Sequence, residues 1–460
     1  MLRIAEAGLN VAVCIAVLAF GGTAPRFFLV TQLVVLGLGV FLLSASLRSP
    51  RASVRFPFAA PLVLIVLVLL QILPFPASLA PLFGALRDGF PGRTRFTLSV
   101  APYQTVSHFL LLVTYLTAFY LVLSVCRDRN AKKRLVYVLI ALGMFEAFYG
   151  LLQYLTGWQQ IFTYAKKYYL EEATGTYINR NHFAGLLEMI LPFAVVLALR
   201  QARALRRAAL RGEAPARSVL SAPELLPLVF WLFLAAAIFT ALIFSRSRMG
   251  LISALFSLIA VLALAGTSPF SARTRVAVAT LFFLGVIGLV VWIGSDPVIT
   301  RFETLGQEYS QTGQNRLSIW RDTLRLIRQH PLIGTGLGTF SVAYPSVQTS
   351  FLNVLVDHAH CDYLEVISDL GLPGGILAFG SILWVLAQAV RHYGEAGDRF
   401  DTVVCLGCVG SIAAILVHGL ADFNLYIPAN TLVLTVILAL AWSSIHEVKI
   451  SGRPAPSILA

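Results

Sequence analysis

The stretch Asp357-His358-Ala359-His360-Cys361-Asp362-Tyr363-Leu364-Glu365 gathers titratable side chains into a chain that is otherwise mostly hydrocarbon, just before an apolar run that opens at Leu372. Imidazole changes charge near neutral pH, and a neighbouring carboxylate can orient it as a general base. Asp357, Asp362, Glu365 and Asp369 supply the carboxylates. In a helix His358 and His360 would point about 200° apart, so only one would face a given site. Extended, both could bind a metal, but no H-E-x-x-H and no third spaced ligand accompany them, and no metal is expected.

Cationic groups stand in three other places. With Asn315 to His330 as a helix and Arg316 at zero, Trp320, Thr323, Leu324 and Ile327 fall within about 80° of it, whereas Arg321, Arg325 and Arg328 cluster opposite. Those three make a solvated or lipid-phosphate face. Arg316, on the apolar side, either snorkels or needs an anionic partner. Ser245-Arg246-Ser247-Arg248-Met249-Gly250 sets two arginines against hydrocarbon with hardly any loop, where each must snorkel or meet an anion. Gly175-Thr176-Tyr177-Ile178-Asn179-Arg180-Asn181-His182-Phe183 precedes another apolar run; Asn181 could cap that helix, and Arg180 or His182 could position a sugar. Gly334, Gly336 and Gly338 lack the preceding strand of a nucleotide loop and read as a tight turn that lets a substrate approach closely.

The elements that must hold these groups are membrane helices. Hydrophobic residues at 58%, charged residues at 12% and a mean hydropathy of +0.79 exclude a stack of soluble domains. Apolar runs recur at roughly 7–25, 27–47, 57–74, 106–126, 135–155, 183–200, 223–244, 249–266, 276–294, 372–391, 403–420 and 429–446, each able to cross about 30 Å as a helix. The fold expected is an all-α integral membrane protein of about 12 transmembrane helices. The first run reads either as a cleavable signal or as half of an uncleaved hairpin, and the apolar run that follows at once favours the hairpin.

Alternate connections carry Arg48, Arg51 and Arg55; Arg127, Arg129, Lys132, Lys133 and Arg134; Arg200, Arg203, Arg206, Arg207, Arg211 and Arg217; and Arg273 and Arg275. By the positive-inside rule these face the cytoplasm, with both termini. The chain then divides into 1–294, transmembrane helices 1–9; 295–371, a large periplasmic loop between helices 9 and 10; and 372–460, helices 10–12 with a cytoplasmic tail. The outer connection 156–182 carries Trp158, Tyr164, Lys166, Lys167, Tyr168 and Tyr169, a mix suited to the headgroup belt. The net charge of +13 therefore reports loops against membrane lipids, and no nucleic acid is expected. Cys14, Cys126, Cys361, Cys405 and Cys408 form no disulfide framework. A secondary transporter or lipid flippase, with Glu146 and Glu188 as buried acids, is the competing class; the concentration of polar residues in one asymmetric outer loop favours an enzyme.

Arg248 after a small residue at the start of a span, Arg316 four residues before Trp320, the His330-Pro331 to Phe340 glycine turn, and His360-Cys361-Asp362-Tyr363-Leu364 followed by Leu370-Gly371 occur in the order seen in the O-antigen ligase and O-antigen polymerase superfamily. The chain resembles that superfamily over residues 175–375 by motif and over its length by topology. The resemblance implies a GT-C-like glycosyltransferase of the bacterial inner membrane, metal-independent and without a cofactor. A periplasmic histidine, here His360, and two arginines, here Arg248 and Arg316, would serve transfer of a glycan from undecaprenyl diphosphate. The family commonly has asparagine after the histidine, where this chain has Cys361. His358 and Arg246 are near-duplicates, so a neighbouring register stays open, and Arg246, Arg180, His182 and His358 are further candidate substrate contacts. The acceptor decides the activity: a lipid A core sugar makes a ligase of lipopolysaccharide biosynthesis, a second lipid-linked glycan an O-antigen or exopolysaccharide polymerase, and a protein hydroxyl an O-glycosylating transferase. Ligase is the leading expectation.

Overall fold

A computed structural model describes residues 1–48, 56–57, 59–79, 94–211, 222–266, 276, 280–281, 284, 316–350, 355–393 and 400–451. The helices are α1 (Leu2–Leu18), α2 (Pro25–Arg48), α3 (Ala59–Ile72), α4 (Pro102–Val125), α5 (Arg129–Thr156), α6 (Arg180–Arg211), α7 (Ala222–Phe244), α8 (Arg248–Gly266), α9 (residues 316–329), α10 (Asp362–Tyr393), α11 (Phe400–His418) and α12 (Pro428–Ser451). Among the described residues nine helices are long and apolar enough to cross a membrane: α2, α4 to α8 and α10 to α12. α1 has 17 residues and α3 has 14, so α3 rises only about 21 Å. Apart from residues 276, 280–281 and 284, the predicted span 276–294 and the connection up to residue 315 lie outside the described residues.

Local chemistry sets the helix ends. The Asp128 side chain accepts the Asn130 amide at 2.9 Å to cap α5, which stops at left-handed Gly157. Pro102 opens α4, where its missing N–H costs nothing. The apolar window of α6 is wholly buried, as expected of a helix that is apolar all round, and α6 packs against α5, α7, α8 and α11. Outer helices instead expose Leu33, Leu43, Ile259 and Ile376, the apolar surface that hydrocarbon requires.

The bundle has two distinct ends. At one, Lys132 meets Asp401 at 2.7 Å, Arg134 meets Glu6 at 2.9 Å, and Phe400 lies under Lys133 and Arg200. About 27 Å along α11, the other end gathers the 157–179 connection, α9, the histidine stretch and the turn between α11 and α12. α10 begins at Asp362, earlier than the expected Leu372. It is kinked at Gly371 (φ 71, ψ 173), two residues before Pro373, so a short outer helix runs across a kink into a membrane helix.

Candidate active site

The turn 419–427, between α11 and α12, organises the site. Gly419 O and Asp422 O accept the Asp362 amide at 2.9 and 3.0 Å, and Asp362 Oδ1 accepts the Leu425 amide at 3.0 Å. Asn430 Nδ2 donates to Asn424 Oδ1 at 2.8 Å and to His182 O at 2.9 Å, while Tyr177 OH donates to Asn430 Oδ1 at 2.9 Å, tying the turn to the head of α6. Three imidazoles surround Phe423: His358 stacked at 3.9 Å and 11°, His182 edge-on at 4.8 Å and 78°, and His360 edge-on at 5.1 Å and 70°.

The outer loop brings an arginine to the same turn. Arg321, Arg325 and Arg328 of α9 are exposed, while Thr323 and Ile327 are buried, as the periodicity predicts; Leu324 departs from it and is exposed. Ile319 and Leu326 join Phe340, Tyr344, Val356 and Ala359 in a small core. Buried Asp322 accepts the Thr349 amide at 2.9 Å and its hydroxyl at 2.8 Å, and Trp320 Nε1 donates to Ala359 O at 3.0 Å. So anchored, Arg316 donates through Nη1 to Ala421 O at 2.9 Å, one residue from Asp422.

His358 to His360 is not helical. His360 takes φ 51, in the left-handed region, an uncommon conformation for a residue with a side chain. Cys361 is buried and occupies the N-cap of α10, its thiol facing the Tyr363 and Leu364 amides. It stands in the capping place that asparagine favours, and burial raises its pKa. Burial drives the His360 pKa down to about 4, against Asp422, which raises it, and with Arg316 and His358, which lower it further. His360 is therefore neutral at pH 7. Burial works to raise the Asp422 carboxyl, but the imidazole of His418, 3.8 Å away, and those of His182 and His360 hold it well below the usual range.

The glycine turn is filled by protein. Side chains on Gly334, Gly336 and Gly338 would strike the Asp369 backbone, Ser99 and His108, and all three glycines have positive φ. Gln71 Nε2 bridges Ile333 O and Asp369 O at 2.7 and 2.8 Å, and Asp369 Oδ2 accepts the Gly338 amide at 2.6 Å and Tyr426 OH at 2.8 Å. The turn thus locks the loop onto the bend of α10, where the sequence suggested an approach for substrate. An apolar cavity of about 550 Å³ starts at this lock, beside His108, Leu337 and Tyr426, and runs between α3, α4, α10 and α12 to Phe119 and Leu438.

His182, His358, His360 and Arg316 thus converge. Arg248 opens α8, whose Gly250 lies against Ala184, two residues beyond His182. Arg180 pairs with Glu172 at 2.6 Å and Arg246, at φ 55, with Glu171 at 3.2 Å, both on the 157–179 connection. Asn179, not Asn181, caps α6: its Oδ1 accepts the Asn181 amide at 2.8 Å. Sequence reading missed Asp422, Phe423 and His418. The available signal was an acid, an amide and a tyrosine crowded into the short connection Asp422-Phe423-Asn424-Leu425-Tyr426 between two spans. Among the described residues no three His, Cys, Asp or Glu side chains form a group able to hold a metal ion.

A family model described as O-antigen ligase matches residues 232–379, a segment that contains Arg246, Arg248, Arg316, His358 and His360 but not the turn around Phe423. No curated protein matches the chain.

Proposed function

We propose that this chain, a member of the O-antigen ligase and polymerase superfamily through residues 232–379, moves a glycan from undecaprenyl diphosphate to an acceptor hydroxyl at the periplasmic face of a bacterial inner membrane. Both termini then lie in the cytoplasm, with the ion-paired end of the bundle. The observation that carries the reading is the meeting of neutral His360 and Arg316 at one turn, beside an apolar cavity of about 550 Å³. A polyprenyl tail is apolar and its diphosphate is anionic, which is the division of chemistry that cavity and arginine supply.

In the reaction the acceptor oxygen bonds to the sugar C1, and the bond from C1 to the diphosphate oxygen breaks. The hydroxyl proton passes to His360, and the leaving diphosphate carries its charge to Arg316 and Arg248. Guanidinium binds phosphate oxygens in bidentate fashion and stays charged throughout. Burial of His360 serves this role, because only the neutral ring accepts a proton.

The acceptor assigned is a lipid A core sugar, which makes the protein a ligase. The test is transfer from purified polyprenyl-diphosphate glycan in EDTA, wild type beside His360→Ala. Loss of about 10²- to 10⁴-fold is expected, with an acid limb in the wild type as pH falls toward 4; retained transfer rejects the role. In a deletion strain, loss of long chains from lipid A with normal lipid-linked polymer supports the ligase, whereas accumulation of single repeats identifies a polymerase.

A further inference from the structure

His358 stands two residues before His360 and is held differently. Its Nδ1 donates to Glu365 Oε1 at 2.7 Å, and the other oxygen of that buried carboxylate accepts the Ala359 amide at 2.8 Å, so one acid fixes both ring and backbone. The ring lies flat on Phe423, yet the side chain remains 29% exposed. With Nδ1 committed, Nε2 is the nitrogen left for a ligand.

Position then suggests which ligand. Tyr426 lines the apolar cavity and its ring lies 5.7 Å from that of His358; His360 follows in the chain and shares Phe423. A lipid-linked donor has a fixed order of tail, diphosphate, sugar C1 and attacking hydroxyl. Laid from the cavity toward His360, its diphosphate falls at His358. Building on the transfer reading above, we propose that His358, braced by Glu365, is a third diphosphate contact, its Nε2–H donating to a phosphate oxygen and making donor binding depend on pH.

The groups facing His358 come from every neighbouring element: Glu365 of α10, Asp357 and His360 of its own segment, Asp422 of the turn, His182 of α6 and His108 of α4. Burial lowers its pKa, but Glu365, Asp357 and Asp422 together raise it above that of an ordinary imidazole. With Nδ1 bound to Glu365, Nε2 carries a proton only in the cationic ring. The contact is accordingly present at low pH and lost as pH rises through the His358 pKa.

The test is binding of glycan-free undecaprenyl diphosphate to the purified protein in detergent, between about pH 5.5 and 8.5, a window that brackets imidazole titration. Wild-type affinity should fall as pH rises. His358→Asn should bind about 10- to 100-fold more weakly at the acid end, the worth of one charge-assisted hydrogen bond, with a flattened profile. Glu365→Gln should move the fall to lower pH, and His358→Lys should keep binding at the alkaline end. If His358→Asn binds as wild type at every pH while Arg316→Ala binds weakly, His358 has no such role and the transfer reading survives. If Arg316→Ala also binds as wild type, the transfer reading falls as well. Normal binding by His358→Asn with lost transfer would move His358 to the acceptor side and overturn the proposal.

Discussion

Where α5 and α11 begin, cations meet carboxylates at close range: buried Lys132 reaches Asp401 at 2.7 Å, and Arg134, which is exposed, reaches Glu6 at 2.9 Å and Asp128 at 3.6 Å. Where α11 ends, charge is pooled instead. His418 touches Glu188 at 2.9 Å but Asp422 only at 3.8 Å, and His182 stands 3.9 Å from the same carboxylate. His182 Nε2 and His360 Nδ1 are buried with no hydrogen-bond partner among the described residues. A closed pair has nothing further to bind, whereas an open cluster can be completed by a polar substrate. The first arrangement suits structure and the second suits chemistry.

Two substitutions test that contrast most strongly. Arg316→Ala should slow transfer by about 10² to 10³, the worth of one preorganised charge-stabilising donor, with an unchanged melting temperature in detergent. Lys132→Ala should do the reverse. It strands Asp401 in a buried site and should cost about 3–5 kcal/mol of stability, while transfer per folded molecule stays at the wild-type rate. Replacing both partners, Lys132→Met with Asp401→Leu, should recover most of the melting temperature. A rate loss in Lys132→Ala without destabilisation would erase the distinction between the two ends.

The sequence made some of this legible and concealed the rest. Helix positions followed from apolar length, and the solvated face of α9 followed from the spacing of Arg321, Arg325 and Arg328, because burial is a property that periodicity reports. Arg316 and His360 could be singled out because an unmatched cation and an imidazole are conspicuous beside hydrocarbon. Phe423 could not, since one phenylalanine among many carries no mark of what surrounds it. The roles of the glycines were hidden for a related reason. Their backbone angles were foreseeable as a turn, but that Asp369 and His108 would fill the space depends on contacts distant in sequence.

The bend in α10 links the loop to the site and so should affect both properties. Gly371 combines φ 71 with ψ 173, a conformation reserved for glycine, and a side chain there would strike the Leu332 to Ile333 backbone. Gly371→Ala should cost about 1–3 kcal/mol, seen as a lower melting temperature. It should also raise the KM for donor, because Asp369, two residues earlier, holds both the glycine turn and Tyr426. An unchanged KM would mean that the lock sets stability alone.

The smallest expected effect falls on the ring at the centre. Phe423→Leu keeps an apolar side chain but removes the face on which His358 lies and the edges that orient His182 and His360. Aromatic pairs of this kind contribute about 0.5–1.5 kcal/mol each beyond their buried area. Loss of orientation at these three imidazoles should therefore reduce kcat/KM by about tenfold, which corresponds to roughly 1.4 kcal/mol. Phe423→Tyr, which retains the ring, should recover most of that rate. Equal rates for the leucine variant and the wild type would show that the imidazoles are positioned by their hydrogen bonds and neighbouring charges rather than by the ring they share.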